Sequence, residues 1–259
     1  MNYDFNIGLY YNLVENFNLY DTVWLTVLPI LFTVVTVFAS YLLGSINSAI
    51  LVSKIGYGED IRNFGSGNAG MTNILRTYGV KAALITLLGD VMKAVLSVII
   101  GGFLLGFGYK AGIALSLGGY IGALGAVLGH VFPIYYNFKG GKGVLSTAAA
   151  VLVLSPPVFL ILIAVFAIIF LPSKYISLGS VSAAALLPVA FNGYIAFVFG
   201  GASAPMWVSL VTIIIAILIV WCHRENINRI ANRTERKFSI GKKKPDTDKS
   251  EKESDTDEK

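Results

Sequence analysis

The most distinctive residues of the chain lie at positions 60–76, where glycines, asparagines, hydroxyl groups and arginines interrupt an otherwise apolar sequence. After Asp60, this polar segment carries only neutral or positive side chains. Glycine-rich backbone can turn its N–H groups toward one point, and guanidinium groups bind phosphate through two parallel hydrogen bonds. We therefore predict a phosphate site, although the same composition taken alone is also typical of an ordinary loop.

Two further polar clusters have the composition of an anion site. The first is the lysine turn, residues 139–143, which reads Lys-Gly-Gly-Lys-Gly and precedes an apolar run whose free helix N–H groups would face the same ligand. It is not a Walker A loop, because Tyr136 stands at the first glycine position and Gly143 replaces the hydroxyl residue. The second contains His223 and Asn226, which share one face of a helix. Two histidines and scattered carboxylates do not form a metal site, so we expect no metal.

The composition identifies a membrane protein. Apolar residues make up 55% of the chain, charged residues 14%, and the mean hydropathy is +0.71. Cys222 is the single cysteine, which excludes a disulfide framework. Residues 1–21 contain acids and aromatic residues but no lysine or arginine, so they do not resemble a signal peptide. We predict an external lead along the membrane interface, with disorder as the alternative.

The predicted fold class is an all-α polytopic integral membrane protein with about seven transmembrane helices in residues 22–222. Each apolar run is near the ~20 residues that cross a bilayer, except the fourth, which is short and could be a half-helix or a re-entrant segment. The alternatives are therefore six or eight spans. The predicted runs are residues 22–53, 79–107, 110–136, 143–154, 156–171, 178–200 and 206–222.

The distribution of basic residues predicts the orientation. With the N-terminus outside and the C-terminus in the cytoplasm, 18 of the 20 lysines and arginines fall on the inner side. We expect residues 223–240 to be a basic helix end along the anionic inner leaflet. Residues 241–259 carry six lysines, seven acids and no apolar residue, so we expect that tail to be disordered.

Polar residues inside the spans have structural explanations. Asp90 and Lys93 are three residues apart and can pair so that neither charge faces lipid alone, although an ion or proton path is the functional alternative. We interpret His130 as an interior histidine with satisfied hydrogen bonds. The small residues between 118 and 126 predict close helix packing rather than a cofactor site.

Together these motifs resemble the PlsY-type acyl-phosphate:glycerol-3-phosphate acyltransferases, integral membrane enzymes of bacterial phospholipid synthesis. The resemblance extends from about Leu42 to Ile230, while Asn47 and Met71 depart from the residues usual in that family. The matching motifs are Leu43-Gly44-Ser45, Asp60-Ile61-Arg62, Gly65-Ser66-Gly67-Asn68, Thr72-Asn73, Arg76, Asp90 with Lys93, Lys139-Gly140-Gly141-Lys142-Gly143-Val144, and His223, Asn226, Ile227 and Arg229.

The resemblance implies transfer of a fatty acyl group from acyl phosphate to the 1-hydroxyl of glycerol 3-phosphate. The products would be lysophosphatidic acid and phosphate, and no cofactor is implied because the acyl group is already activated. It further implies a bacterial cell (inner) membrane location with the active site facing the cytoplasm. The expected partners are the two substrates, membrane lipid and other enzymes of phospholipid synthesis, with no nucleic acid.

The resemblance also suggests roles for individual residues, since the chemistry needs phosphate binding, an activated hydroxyl and oxyanion stabilisation. The glycerol end would be held by His223 and Asn226, with either His223 or a substrate phosphate accepting the hydroxyl proton. Ser66 as a covalent nucleophile is the weaker alternative. Phosphate binding is assigned to Arg76, Lys139 and Lys142 with Ser177 or Ser180 as helpers, and substrate orientation and oxyanion donation to Ser66, Asn68, Thr72 and Asn73.

Two other classes of function compete with this interpretation. A transporter of a phosphorylated metabolite would show inverted repeats and charged groups near the bilayer midplane, whereas here the polar clusters lie at one face and no repeat is visible. A membrane scaffold with a lipid-binding basic tail leaves the three polar clusters unexplained.

Overall fold

The computed structural model describes residues 8–106, 109–110, 113–114 and 117–238, and in these the chain is almost entirely helical. The all-α fold class is therefore confirmed. The tail 241–259 and residues 1–7 lie outside the described residues. The elements are α1 Leu9–Asn16, α2 Thr22–Gly44, α3 Ser48–Tyr57, α4 Met71–Tyr78, α5 Val80–Leu105, β1 Tyr109–Lys110, β2 Ile113–Ala114, α6 Leu117–Val131, α7 Val144–Leu154, α8 Pro156–Ser173, α9 Ile176–Val198, α10 Met206–Cys222 and α11 Arg224–Ala231, with short 3-10 turns at Ile61–Asn63 and Ile134–Tyr136.

Helices occur at all seven predicted apolar runs, but they differ in length. Five segments are long and apolar enough to cross a membrane: Val23–Tyr57, which joins α2 and α3, together with α5, Leu117–Tyr136, α8 and α9. Helices α10 and α11 qualify together but are bent by 53°. Helix α7 has 11 residues, or about 16 Å at 1.5 Å per residue, roughly half of a ~30 Å hydrocarbon core. The number of spans and the orientation therefore stay predictions.

Helix α6 packs against α2 and α5 through its glycines. A Cβ atom on Gly122 would collide with the backbone of Ser97 on α5, and one on Gly129 would collide with the backbone at Tyr41 and Ser45. Such close approach of helix backbones is how membrane helices associate without a hydrophobic driving force. The close packing predicted for this run is confirmed, and it fixes the position of His130 at the end of α6.

A break between α2 and α3 brings the first span close to the polar segment. Asn47 caps α3, because its Oδ1 accepts a hydrogen bond from Ile50 N at 3.1 Å. Its Nδ2 donates to the Ala69 carbonyl at 3.4 Å. One side chain thus both starts α3 and holds the polar segment against it.

Ser155 separates two helices with different environments. Its Oγ accepts a hydrogen bond from Val158 N at 3.4 Å, and prolines follow in the first turn of α8, where no N–H is needed. Most of α7 is buried against the other helices, whereas in α8 only Val158 is buried. The short helix therefore lies inside the protein, and α8 covers it on the outside.

The basic helix end expected over 223–240 is shorter than predicted. Helix α11 ends at Ala231, where Arg233 adopts a left-handed conformation (φ 57°) and Thr234 N donates to Arg229 O at 2.8 Å. This six-to-one hydrogen bond terminates a helix in a Schellman motif. The return segment, residues 232–238, then folds back, and Phe238 N donates to Lys174 O at 2.8 Å. These residues pack against the start of α9 instead of continuing a helix.

The predicted orientation can be checked by cysteine labelling in a Cys222→Ser background. Ser203 follows α9 and is exposed, whereas Ser173 ends α8 at the opposite end of the bundle. We expect a membrane-impermeant maleimide to label Ser203→Cys in intact cells and Ser173→Cys only after lysis, since positively charged segments stay in the cytoplasm. The reverse pattern would contradict the orientation.

Candidate active site

All eleven side chains assigned to the site from the sequence line one cavity of about 1140 Å³. The cavity lies between the polar segment, the lysine turn, the start of α9 and the junction of α10 with α11. The eleven residues are Ser66, Asn68, Thr72, Asn73, Arg76, Lys139, Lys142, Ser177, Ser180, His223 and Asn226. The sequence analysis did not assign Asp90, His130, Glu235 or Arg236 to the site, and these residues also line it.

Asn73 organises the polar segment from its centre. Its Oδ1 accepts from Ser66 N at 3.1 Å, and its Nδ2 lies within hydrogen-bond distance of the carbonyls of Phe64 (2.9 Å) and Asn68 (3.1 Å). Asn73 is buried, and both amide hydrogens are used within the protein. The expected role as an oxyanion donor therefore does not fit its geometry; Asn73 shapes the loop that carries Ser66 and Asn68.

Arg62 joins the polar segment to the lysine turn. Its guanidinium pairs with Asp60 at 2.7 Å and donates to the carbonyls of Tyr136 at 3.0 Å and Lys139 at 3.2 Å. The hydrogen bond and charge of Arg62 lower the pKa of Asp60 to about 2, against the opposing effect of burial. The sequence predicts that the arginines of the polar segment face an anion, but the donors of Arg62 hold two loops together instead.

The lysine turn is fixed by the end of α6. Gly141 N donates to the His130 carbonyl at 3.1 Å, and Gly140 N donates to the Val131 carbonyl at 3.2 Å. A side chain at Gly140 would collide with this α6 backbone. Gly143 adopts φ +79° and starts α7, so the free N–H groups of that helix face the same region as the two lysines.

Glu235 is the centre of a network that the sequence analysis missed. Its Oε1 accepts from Ser177 and from Asn226, each at 2.7 Å, and its Oε2 accepts from Arg229 Nε at 2.8 Å. The Oδ1 of Asn226 in turn accepts from Lys142 Nζ. The available signal was a single carboxylate among the basic residues of the return segment. Because the donors of Ser177 and Asn226 are used here, we interpret Glu235 as the residue that orients them.

Burial and neighbouring charges set the protonation of this network. Burial lowers the pKa of Lys142 to about 8. Burial would raise the pKa of Glu235, but hydrogen bonds from Arg229, Asn226 and Ser177 outweigh it and hold that pKa below its usual value. Burial, followed by repulsion from Arg236, lowers the pKa of Arg76. Two guanidinium groups therefore lie near one another at the cavity, and the described residues provide neither with a hydrogen-bonded carboxylate.

His223 is held with one ring nitrogen available. Its Nδ1 lies 2.8 Å from the Ile219 carbonyl, which can only accept, so the hydrogen is on Nδ1. Nε2 then carries the lone pair and can accept a hydrogen bond. Burial and the charge of Lys142 lower the pKa of His223 to about 4, so the ring is neutral at physiological pH.

The other predicted donors divide into two groups. Ser180 Oγ donates to the Ile176 carbonyl of its own helix at 2.8 Å, so it, like Ser177, does not offer a free hydrogen. By contrast, the side chains of Ser66, Asn68 and Thr72 form no side-chain hydrogen bond within the described residues, although all three line the cavity. Of the neutral donors predicted from the sequence, these three side chains are therefore available to a ligand.

Another part of the cavity is apolar. Here the lining comes from α7, α8 and α9 and includes the aromatic rings of Phe159 and Phe166 and the aliphatic side chains of Val151, Leu162 and Leu187. A long hydrocarbon chain can be buried among such side chains, with each buried methylene contributing about 0.8 kcal/mol. The same cavity thus joins a basic polar end to a groove suited to an acyl chain.

The fold and the site define a helical integral membrane protein whose cavity combines a basic, amide-lined part with an apolar part. Residues 34–233 match the family model described as glycerol-3-phosphate acyltransferase. The chain belongs to the glycerol-3-phosphate acyltransferase family.

Individual relatives agree with this assignment. The chain is 40% identical to the glycerol-3-phosphate acyltransferase of Clostridioides difficile (strain 630) over 205 residues, which is 79% of this chain and 94% of the relative. It is 37% identical to that of Bacillus cytotoxicus over 213 residues, which is 82% of this chain and 98% of the relative.

Solved structures extend the likeness to three dimensions. The crystal structure of PlsY (YgiH), an integral membrane glycerol 3-phosphate acyltransferase, in its glycerol 3-phosphate form is 34% identical with a TM-score of 0.67. The form of that protein with lysophosphatidic acid is 33% identical with a TM-score of 0.65. Each of these two alignments covers 80% of this chain and 96% of the solved chain.

The orienting role of Glu235 leads to a testable difference between two glutamates. Glu235→Ala leaves Ser177, Asn226 and Arg229 without their shared acceptor, and we expect a loss of about 1.5–3 kcal/mol in stability together with most of the activity. Thermal unfolding in detergent and initial acyl-transfer rates would measure both.

The matched control is Glu225→Ala, which removes the same charge from an exposed side chain 3.8 Å from Arg229. We expect this control to change little, because exposed ion pairs contribute about 0–1 kcal/mol. Equal behaviour of the two variants would contradict the orienting role.

Proposed function

We propose that this acyltransferase uses acyl phosphate as its donor and releases lysophosphatidic acid and inorganic phosphate. The observation that carries the proposal is the single cavity with a basic, amide-lined end and an apolar end between α7, α8 and α9. A donor with a phosphate at one end and a hydrocarbon chain at the other matches both parts. Glycerol 3-phosphate adds a second phosphate and a hydroxyl to the polar end.

The reaction requires no covalent enzyme intermediate. The 1-hydroxyl oxygen of glycerol 3-phosphate attacks the carbonyl carbon, a new ester C–O bond forms, and the C–O bond to phosphate breaks. The departing phosphate takes the electron pair of that bond. The hydroxyl proton passes to Nε2 of His223 or to a phosphate oxygen. Ser66 as a nucleophile is unnecessary, because the acyl phosphate is already activated.

Phosphate binding is attributed to groups that are open to the cavity. Arg76 forms no hydrogen bond or ion pair within the described residues, so its guanidinium can bind a phosphate through two parallel bonds. Lys139 is exposed and lines the same cavity, and Lys142 adds a partly buried charge close to His223. Ser66, Asn68 and Thr72 would supply neutral donors to the substrates.

The proposed setting is the inner membrane of a bacterium, with the cavity facing the cytoplasm. The basic residues around the cavity support this orientation, since cytoplasmic segments are enriched in lysine and arginine. Acyl phosphate would be supplied by a reaction that phosphorylates a fatty acyl group, and lysophosphatidic acid would be consumed by a second acyl transfer. Contact with the enzymes of these steps is part of the proposal.

The proposal is tested with purified protein, acyl phosphate and glycerol 3-phosphate. We expect phosphate release only when both substrates are present, with lysophosphatidic acid formed in equal amount. Release without glycerol 3-phosphate would indicate a hydrolase. Uptake of glycerol 3-phosphate into vesicles without acyl product would indicate a transporter.

The lowered pKa of Lys142 predicts a pH dependence of substrate capture. A lysine is charged below its pKa, so Lys142 loses its charge as the pH rises through about 8. We expect kcat/KM for glycerol 3-phosphate to fall above that pH. Lys142→Arg should remove the fall because guanidinium stays charged, whereas Lys139→Arg should retain it. If kcat/KM falls above that pH in the same way in Lys142→Arg, or in the residual activity of Lys142→Ala, the fall does not come from Lys142. That result would contradict the assignment of the fall to this residue.

His223 is tested by two substitutions with different chemistry. His223→Ala should slow acyl transfer by roughly 10²–10⁴-fold, the usual range for a general base. His223→Gln retains a hydrogen-bonding group without basicity, so partial recovery of the rate would indicate orientation of the hydroxyl and no recovery would indicate proton abstraction.

Cys222→Ser is the control, because it changes the half-buried neighbour of His223 and should leave the rate nearly unchanged. Near-normal kinetics of His223→Ala would remove this residue from the reaction.

A further inference from the structure

A buried charged cluster lies beside the proposed active site, where α5 and α6 meet the break between α2 and α3. Lys93 Nζ is 2.9 Å from Asp90 Oδ1, 3.0 Å from His130 Nδ1 and 2.8 Å from the Ile46 carbonyl. All three side chains of the cluster are buried, and Asp90 and His130 line the cavity. The salt bridge expected from the sequence is confirmed, but it includes His130 as a third member.

The geometry of the cluster fixes the tautomer of His130. A lysine ammonium has three hydrogens and no lone pair; Lys93 Nζ donates to the Ile46 carbonyl and lies 3.0 Å from His130 Nδ1, beside its ion pair with Asp90. His130 Nδ1 must therefore accept, which is only possible in a neutral ring whose hydrogen is on Nε2. Asp90 Oδ1 is 3.6 Å from Nδ1, beyond a hydrogen bond, as expected when both atoms are acceptors.

The Nε2–H group of His130 lies where the lysine turn meets the polar segment. A Cβ atom on Gly141 would collide with His130 Nε2 and would lie 2.7 Å from the Ala69 carbonyl. Gly141 belongs to the lysine turn and Ala69 to the polar segment. Within the described residues Nε2 forms no hydrogen bond, so its hydrogen is available to a ligand in the cavity.

His130 and His223 thus present opposite hydrogen-bonding groups to one cavity, a donor and an acceptor. His223 donates from Nδ1 to a carbonyl and offers a lone pair at Nε2, whereas His130 accepts at Nδ1 and offers a hydrogen at Nε2. Acyl transfer to a hydroxyl needs one group of each kind: an acceptor for the hydroxyl proton and a donor for the oxygen on which charge develops.

We propose that His130 is a catalytic hydrogen-bond donor whose Nε2–H binds an oxygen of the acyl-phosphate head group, either a phosphoryl or the carbonyl oxygen. Lys93 and Asp90 are positioning residues that hold the donor tautomer. No proton is transferred to or from His130 in the reaction. The identity of the ligand rests on the proposed function.

A neutral donor in this place has an electrostatic advantage. Preorganised hydrogen bonds in a water-poor site stabilise developing negative charge more strongly than solvated ones, and they need no reorganisation during the reaction. The glycine at position 141 allows the lysine turn to approach Nε2 closely, because a Cβ atom there would collide with the ring.

Two substitutions of His130 separate the donor role from a structural role. In His130→Asn the side-chain oxygen can replace Nδ1 as the acceptor for Lys93, but the donor into the cavity is lost. In His130→Gln an amide N–H can reach the position of Nε2, but the acceptor for Lys93 is lost. We expect His130→Asn to reduce kcat/KM for acyl phosphate by roughly 10²–10³-fold, as for loss of one oxyanion donor, and His130→Gln to retain more activity.

The division between kcat and KM identifies the oxygen. A loss mainly in kcat indicates the carbonyl oxygen, where charge develops in the transition state, and a loss mainly in KM indicates a phosphoryl oxygen. Either result supports the proposal. Full activity in His130→Asn, or greater activity in His130→Asn than in His130→Gln, would overturn it.

The tautomer can be measured without turnover, because the chain contains two histidines. Nitrogen-15 NMR of histidine-labelled protein should show one ring protonated at Nε2 and the other at Nδ1, and His223→Gln assigns them by removing one. Finding His130 protonated at Nδ1 or at both nitrogens would overturn the proposal. This readout does not depend on the donor substrate, so a protein that failed to use acyl phosphate would leave the tautomer result unaffected.

Discussion

The ammonium group of Lys93 is the point at which three parts of the membrane domain meet. It binds Asp90 on its own helix, His130 at the end of α6 and the Ile46 carbonyl in the break between α2 and α3. Burying a charge is costly unless a partner and further hydrogen bonds compensate it, and removing one partner of such a pair typically costs about 3–5 kcal/mol. The satisfied ammonium therefore constrains α6, and the end of α6 in turn fixes the lysine turn through Gly140 and Gly141.

The network around Glu235 follows the same rule with the opposite sign of charge. The carboxylate of Glu235 is compensated by Ser177, Asn226 and Arg229, so the return segment and α9 are joined to the α10–α11 junction. A side chain whose charge or donor is already paired within the protein is unavailable to a ligand. The guanidinium groups of Arg76 and Arg236 have no hydrogen-bonded carboxylate among the described residues, so their donors are open to a substrate phosphate.

Local patterns in the sequence were sufficient for the fold class, the helices and a set of residues that line one cavity. The glycines of α6 predicted close packing, and the shortness of the fourth apolar run predicted the short α7. Contacts over long sequence distances were not predictable in this way. Arg62 contacts carbonyls 74 and 77 residues away, and Ser177 meets Glu235 at a separation of 58. The hydrogen on His130 Nε2 depends on Lys93, which only the packing of α5 on α6 brings to the ring.

The position of α8 determines which donor concentration controls the reaction rate. Only Val158 of this helix is buried, yet Phe159, Leu162 and Phe166 line the apolar part of the cavity, so a single helix separates that groove from the surrounding lipid. A donor with a long chain would therefore arrive by two-dimensional diffusion within the leaflet, while glycerol 3-phosphate arrives from water. The donor concentration that governs the rate is then its mole fraction in the bilayer, and diluting the membrane with inert lipid would slow the enzyme even at constant bulk concentration.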